Sequence, residues 1–264
     1  MTIKVVIAGP RGKMGSEAVK MVRQEENFQL VACIDRKNDG MSLKDIEELP
    51  DINIPIYEDT STCFEETDAD VLVDLTVPDV AYEHTKAALE HDVRPVIGTT
   101  GFTEVQLEDL KMLAKEKRLG GLIAPNFAIG AVLMMHFSKM AAKYLPDVEI
   151  IEKHHDNKRD APSGSAVKTA ELIKDSRSYK SQGHPEEKET FPGARGAEYE
   201  GMRIHSVRLP GLVAHQEVVF GGPGQTLSIK HDSYNRESFM DGIKLAIEEV
   251  MELEELIYGM ENIL

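Results

Sequence analysis

Three evenly spaced glycines between two short apolar runs constrain this chain more than any other feature of its sequence. They are Gly9, Gly12 and Gly15. The run at 4–8 precedes them, an amphipathic stretch follows to Glu25, and a second run at 29–35 ends at Asp35. A strand, a glycine turn, a helix and a second strand make up a βαβ unit of about 30 residues. The opening of the chain therefore predicts a parallel sheet with a phosphate-binding turn.

The same alternation continues through the first half of the chain. Apolar runs at 70–75, 95–98 and 121–124 each precede a stretch with helical periodicity. The predicted helices are 78–90, 103–118 and 130–144. Alternating strands and helices indicate a doubly wound parallel sheet of the Rossmann type, which binds ligands beyond the carboxyl ends of its strands.

The pattern changes after about residue 145. A strand at 147–153 and a helix ending at Lys174 precede the segment 176–201, which is rich in glycine, proline, serine and charge and predicts a long surface loop. Glycine- and proline-rich turns then separate further apolar runs. These predicted strands are 203–209, 215–220 and 226–231. They indicate a meander in a mixed or antiparallel sheet. An acidic helix is predicted from 237 to 257.

Composition excludes several broad classes. The net charge of −16 makes general nucleic-acid binding unfavourable, because most of the surface repels a phosphate backbone. The longest apolar stretch, 127–137, is too short to span a membrane, and no secretory signal is visible. Two cysteines cannot build a disulfide framework, so we expect a reduced cytoplasm. Neither is a good nucleophile, since Cys33 lies in a predicted strand and Cys63 lies in an acidic stretch that raises its pKa.

Charged residues beside the glycine turn leave the choice of dinucleotide open. Asp35 stands 20 residues after Gly15, where a carboxylate accepts hydrogen bonds from ribose hydroxyls and favours NADH. The neighbouring Arg36 can pair with the 2′-phosphate of NADPH, and Arg11 and Lys13 add positive charge. A structural turn with an unrelated surface acid is the alternative. Turns at 98–100 and 124–127 follow later strands and are placed to meet the nicotinamide, or are ordinary connections.

A second group of cations stands in the later half. His154, His155 and Lys158 precede Ser163 and the start of a predicted helix. The free N–H groups of a helix start, with Ser163 or Ser165 as its cap and cations nearby, suit a carboxylate substrate. Histidine or lysine can donate a proton. The alternative is a turn with surface histidines. We expect no metal, because adjacent histidines face opposite sides of an extended segment and no cysteine or carboxylate cluster completes a ligand set.

The motifs together resemble those of the 4-hydroxy-tetrahydrodipicolinate reductase family, also called dihydrodipicolinate reductase. Residues 152–166 resemble its E-x-H-H-x-x-K-x-D-x-P-S-G-T-A signature, and 6–15 resemble its V-x-G-x-x-G-[RK]-M-G opening. Shorter matches occur at 74–76, 98–101 and 125–130, so the resemblance covers nearly the whole chain. The chain departs from the family pattern where Ser165 replaces threonine, Leu75 replaces phenylalanine and Ala128 replaces serine.

The resemblance implies a role for each motif. His154 is the proton donor, Lys158 the second catalytic residue and His155 a substrate contact, while Gly164 and Ser165 hold a substrate carboxylate. The implied cofactor-binding residues are Gly9, Pro10, Arg11, Gly12, Lys13, Met14, Gly15, Asp35, Arg36, Gly98, Thr99, Thr100, Ala124, Pro125, Asn126 and Phe127.

The resemblance also implies an activity and an architecture. The expected reaction reduces 4-hydroxy-tetrahydrodipicolinate with NADH or NADPH and loses water, in diaminopimelate and lysine biosynthesis. A dinucleotide-binding domain is expected from 1–128 with 235–264, and an inserted α+β domain at 129–234 binds substrate and builds a homotetramer. Hinges are implied near 126–130 and 232–236. The rival hypotheses are a different nicotinamide-dependent reductase and a cofactor-binding regulator without chemistry.

Overall fold

The structure, a computed structural model, describes residues 2–264. The chain forms two compact units. The first unit comprises Met1–Ile129 with Arg236–Leu264, and the second comprises Gly130–Asn235. The assignment of cofactor binding to the first and substrate binding to the second stays a prediction at this point.

The first unit contains a seven-stranded sheet in which every strand pair is parallel. Its strands are β1 (Ile3–Ala8), β2 (Phe28–Ile34), β3 (Ile56–Tyr57), β4 (Val71–Asp74), β5 (Arg94–Ile97), β6 (Gly121–Ile123) and β12 (Leu256–Tyr258), in the order β12-β6-β5-β4-β1-β2-β3. Its helices are α1 (Lys13–Gln24), α2 (Thr60–Glu66), α3 (Pro78–Glu90), α4 (Glu104–Lys117) and α7 (Met240–Glu249). All four residues of β4 are buried, as expected for a parallel strand with both faces covered. The Rossmann-type prediction is confirmed.

The carboxyl-terminal segment corrects one prediction. The acidic helix expected at 237–257 is wrong beyond residue 249, because α7 ends there and Leu256–Tyr258 form β12 instead. β12 pairs in parallel with β6, with Leu256 opposite Gly121. Three apolar residues are too few for their spacing to distinguish helix from strand, and the partner strand decides the outcome.

The second unit packs helices on a five-stranded mixed sheet. Its elements are α5 (Ile129–Ala141, whose first residue belongs to the first unit), β7 (Asp147–His154), α6 (Gly164–Lys174), β8 (Ala197–Tyr199), β9 (Met202–Arg208), β10 (Ala214–Gly222) and β11 (Gln225–Ser233). The strand order is β11-β10-β7-β9-β8. The buried side chains of Ile150, Ala170 and Phe220 belong to one core cluster.

The predicted meander is wrong in its order. β7 lies between β9 and β10, pairing in parallel with β9 and antiparallel with β10. Only β10 and β11 form the expected adjacent antiparallel pair. The turns between the apolar runs are visible in the sequence. The insertion of β7, which comes earlier in the chain, between β9 and β10 leaves no signal in those turns.

The segment 176–201 is held to the second unit by charged side chains. Arg177 donates to the backbone oxygens of Pro146 and Glu200, and Arg195 pairs with Glu149 at 2.7 Å. The segment also contains the short edge strand β8, which the sequence analysis missed. Within residues 2–264, no helix has both the length and the apolar character needed to cross a membrane.

Candidate active site

The glycine turn lies between β1 and α1 and brings backbone close to backbone. Gly9 has a φ of +82°, in the left-handed region that favours glycine. A Cβ at Gly15 would stand 2.0 Å from the carbonyl oxygen of Gly9. Gly12 is the N-cap of α1, no side chain caps it, and the first turn carries no acidic residue. An uncapped helix N-terminus without a competing carboxylate fits the pyrophosphate of a dinucleotide.

Asp35 follows β2 beside this turn, and its carboxylate is already engaged. Arg11 donates from Nε to Oδ2 at 2.8 Å and from Nη2 to Oδ1 at 2.5 Å. The backbone N–H of Lys37 also donates to Oδ1, at 3.0 Å. Asp35 is buried, while the neighbouring Arg36 is exposed. The position of Arg11 near the turn is visible in the sequence, but the contact of its guanidinium with both carboxylate oxygens is not.

The turns after β4, β5 and β6 lie against one another at the carboxyl edge of the sheet. A Cβ at Gly98 would stand 2.7 Å from Leu75 Cδ2 and 3.1 Å from Phe127 Cε2. Thr99 Oγ1 donates to the backbone oxygen of Thr76 at 3.3 Å. The motifs at 74–76, 98–101 and 125–130 are therefore brought together, as the parallel order of their strands requires.

Asp74 anchors this group of turns. It is fully buried, and its Oδ1 accepts hydrogen bonds from the N–H and Oγ1 of Thr76 at 2.8 and 2.5 Å. Its Oδ2 lies 2.8 Å from Nδ1 of His84 on α3. His84 was not among the predicted site residues; the available signal for it was its position ten residues after Asp74, which lies near the end of a predicted strand.

The predicted cofactor residues differ in exposure. Arg11, Gly12, Lys13, Arg36, Thr100 and Pro125 are exposed; Gly9, Met14, Gly98 and Asn126 are half-buried; Pro10, Gly15, Asp35, Thr99, Ala124 and Phe127 are buried. The exposed members include the three cations Arg11, Lys13 and Arg36, and the buried members pack inside the turns. All sixteen lie in the first unit.

His154 ends β7 in the second unit and stands beside a buried carboxylate. Its Nδ1 lies 2.5 Å from Oε2 of Glu152, which is fully buried. Burial lowers the pKa of His154 below the ordinary histidine value, and the nearby cations Lys158 and Arg208 act in the same direction. The hydrogen bond and charge of Glu152 oppose that shift. Glu152 lies inside the signature at 152–166, but the sequence alone gives it no role.

Lys158 lies in the loop after β7, with its Nζ 2.7 Å from Oδ1 of Asp160. This contact lowers the pKa of Asp160 and keeps that carboxyl ionised beside the ammonium group. His155 is exposed next to the half-buried His154, as expected for neighbours in an extended segment.

The loop leads into the N-terminus of α6. Ser163 caps the helix through its Oγ, which accepts from the N–H of Ala166 at 3.3 Å, and this confirms one of the two predicted caps. Gly164 and Ser165 are the first two residues of α6, and a Cβ at Gly164 would meet no atom within 4 Å. An open helix start with no acidic residue in its first turn suits an anion.

Both cysteines are free and buried. Burial raises the pKa of Cys63 to about 12, and the acidic neighbours Glu66 and Asp59 add to the shift. The predicted direction is confirmed, but burial rather than the acidic stretch is the larger cause. Burial likewise raises the pKa of Cys33. Neither thiol has the exposure or the acidity of a nucleophile.

A parallel sheet with a glycine turn, together with a histidine and lysine cluster at an open helix start, is the arrangement of a nicotinamide-dependent oxidoreductase. The chain belongs to the dihydrodipicolinate reductase family, since residues 3–127 match its amino-terminal part and residues 130–264 match its carboxyl-terminal part. Members of this family are reductases that use NADH or NADPH.

Individual relatives agree over the whole chain. The 4-hydroxy-tetrahydrodipicolinate reductase of Oceanobacillus iheyensis is 64% identical and that of Geobacillus kaustophilus 61% identical, each covering 100% of both chains. A solved dipicolinate-bound dihydrodipicolinate reductase from Paenisporosarcina sp. TG-14 is 55% identical, with a TM-score of 0.94 and 100% coverage of both chains. A probable dehydrogenase from Thermotoga maritima, 11% identical with a TM-score of 0.65, covers 99% of this chain and 92% of its own, and shares the fold.

Proposed function

We propose that this chain is the reductase that converts 4-hydroxy-tetrahydrodipicolinate to tetrahydrodipicolinate, with loss of water, in diaminopimelate and lysine biosynthesis. The observation that carries the proposal is the cluster in the second unit, where His154, Lys158 and the open start of α6 belong to one signature. A proton donor and a cation beside a helix N-terminus match a dicarboxylate substrate that must be protonated as it is reduced.

The first unit binds the cofactor in this proposal. The reduced nicotinamide supplies the hydride that the reaction consumes. The N-terminus of α1 and the turn at Gly9 and Gly12 bind the pyrophosphate, and Asp35 with its neighbouring cations binds the adenosine ribose. The turns at 98–100 and 124–127 border the nicotinamide half.

The second unit binds and protonates the substrate. One carboxylate accepts hydrogen bonds from the backbone N–H groups of Gly164 and Ser165, and His155 contacts the substrate. Lys158 supplies positive charge for the dianion, and His154 donates the proton from Nε2 as negative charge develops on the ring nitrogen. The dipicolinate bound to the Paenisporosarcina relative is a planar dicarboxylate of the same kind.

The proposal predicts two different pH limits for catalysis. Protonated His154 is the active form, so kcat/KM falls as the pH rises through a pKa that burial keeps below the ordinary histidine value. A bound dianion raises that pKa, so the corresponding limb of kcat lies at higher pH. Steady-state kinetics from about pH 5 to about pH 9 measure both limbs. An unchanged basic limb in His154→Gln contradicts the assignment of this limb to His154.

Arg11 is predicted to set the balance between the two cofactors. Arg11→Ala removes the guanidinium from both oxygens of Asp35, which then accept ribose hydroxyls of NADH and repel the 2′-phosphate of NADPH. We expect the ratio of kcat/KM for NADPH to that for NADH to fall by about 10-fold, roughly 1.4 kcal/mol. Lys20→Ala removes the same charge from α1, where Lys20 pairs with Glu17, and serves as the control. Equal ratios in the two variants count against a role for Arg11.

A coupled assay tests the function itself. The unstable substrate is generated in place from aspartate semialdehyde and pyruvate by the preceding synthase, and oxidation of NADH and of NADPH is followed separately. Rapid oxidation that depends on this protein is the expected result. If the protein binds the cofactor but does not oxidise it, a regulator or a different reductase is favoured. A different reductase is further indicated if the protein does not bind pyridine-2,6-dicarboxylate, the planar mimic of the substrate.

Two further properties belong to this proposal. We propose a homotetramer assembled through the second unit, whose strand β11 exposes Gln225, Thr226, Leu227 and Ser228. Light scattering of the purified protein tests the assembly. We also propose a cytoplasmic location, which is supported by two free buried cysteines and by the need for a reduced nicotinamide.

A further inference from the structure

Arg208 stands at the end of β9, in register with His154 at the end of β7. Its guanidinium forks onto Glu152, with Nη2 2.7 Å from Oε1 and Nη1 2.8 Å from Oε2. Nη2 also donates to the backbone oxygen of Asp160 at 2.8 Å. One side chain therefore contacts both the residue beside His154 and the residue that holds Lys158.

Glu152 is an ionised carboxylate without solvent exposure. Burial acts to raise its pKa, but hydrogen bonds from Arg208, Ser206 and His154 bring the pKa below the ordinary glutamate value. The N–H of Ser163, at the cap of α6, donates to Oε1 at 3.2 Å. Glu152 thus links the proton donor to the start of the anion site.

An ionised carboxylate beside Nδ1 of His154 fixes the state of the ring. Glu152 accepts hydrogen bonds and has none to donate, so Nδ1 must carry its proton. Nε2 is then the nitrogen left to exchange a proton with substrate. Asp160, whose backbone is tied to Arg208, holds the ammonium of Lys158 through its carboxylate.

We propose that Glu152 and Arg208 are positioning residues for the reduction: Glu152 sets the tautomer and orientation of His154, and Arg208 fixes Glu152 and the loop that carries Lys158. This inference rests on the proposed function. The charged groups facing His154 are Glu152 on its own strand, Arg208 on β9 and Lys158 in the following loop. On its other side β10 places the uncharged Ala214 opposite it.

The same strand offers a matched control. Glu149 on β7 also pairs with an arginine and a histidine, since Arg195 lies at 2.7 Å and Nε2 of His205 at 2.8 Å. This second cluster has the same residue types, and its hydrogen bonds join Glu149 to Arg195 and His205 rather than to His154 or Lys158. Neutralising it tests whether any effect on activity is specific to Glu152.

The first experiment compares Glu152→Gln with Glu149→Gln. We expect Glu152→Gln to lower kcat about 10- to 100-fold, with the dissociation constant of NADH unchanged and KM altered less than about threefold. Loss of the negative charge lowers the pKa of His154, so the basic limb of kcat shifts to lower pH. Glu152→Asp keeps the charge and is expected to recover part of the rate. Glu149→Gln leaves both kcat and the limb unchanged.

The second experiment tests the link through Arg208. Arg208→Gln is expected to lower kcat at least as much as Glu152→Gln, and Arg208→Lys to recover part of the loss. The double variant Glu152→Gln/Arg208→Gln removes the buried carboxylate and its half-buried partner together, so neither charge is left unpaired and the variant is expected to fold even where a single variant does not. The kcat of the double variant is expected to equal that of the less active single variant, because the two residues act as one unit.

The outcomes separate this inference from the proposed function. A wild-type chain without turnover in the coupled assay defeats the proposed function. The positioning role is overturned if the wild type is active and Glu152→Gln, or the folded double variant, keeps the full kcat and an unshifted basic limb of the pH profile. Equal losses in Glu152→Gln and Glu149→Gln overturn it as well, because they indicate a general effect of charge removal on β7.

Discussion

Replacing His154 with glutamine is expected to lower kcat by about 100-fold or more while NADH still binds. Glutamine keeps a polar group at the end of β7, but it cannot deliver a proton at neutral pH. The proposal places NADH on the first unit, to which His154 does not belong. The coupled assay gives kcat, and fluorescence or calorimetric titration of the protein with NADH gives the affinity for NADH.

A histidine far from the signature provides the control for that variant. His184 is exposed in the segment 176–201, so His184→Gln is expected to retain full activity. Lys158→Ala belongs to the same prediction and is expected to raise KM as well, since the proposal assigns to Lys158 the positive charge that binds the dianion. Unchanged turnover in both His154→Gln and Lys158→Ala refutes the assignment of the chemistry to this segment.

Among glycine-to-alanine substitutions at the glycine turn, Gly15→Ala is expected to destabilise the first unit most. The new Cβ stands 2.0 Å from the oxygen of Gly9 and 2.7 Å from its carbonyl carbon, and backbone cannot rotate away as a side chain can. The expected loss is about 3 kcal/mol of unfolding free energy, or roughly 6–12 °C in Tm, together with NADH binding. Thermal melts and titrations with NADH measure both.

Gly164 is the matched comparison for Gly15, because both lie in the first turn of a helix and Gly164 has no atom within 4 Å of an added Cβ. Gly164→Ala is expected to keep its Tm and its affinity for NADH. If Gly15→Ala has the same Tm as the wild type and binds NADH with the same affinity, the prediction is wrong. That result indicates that α1 can move away from β1 at little cost in free energy.

The parts of the fold that were predictable are those encoded in neighbouring residues. The βαβ opening was visible because its strand, glycine turn and helix follow one another directly. The pairing of β7 with β9 and the strand β12 were not visible, since each depends on a partner far along the chain. The resemblance locates the signature in the sequence. The ion pairs of Arg11 with Asp35 and of Arg208 with Glu152 become visible only in the three-dimensional structure.

The position of β12 has a consequence for the nascent chain on the ribosome. The sheet of the first unit is completed by a strand that lies roughly 130 residues after its partner β6. At ordinary rates of translation, that interval lasts on the order of 10 s. During it the second unit is synthesised while β6 keeps an unpaired edge, the kind of edge that recruits strands from other chains. Stalled or prematurely terminated polypeptides that lack residues 256–258 should therefore aggregate more readily than the finished protein.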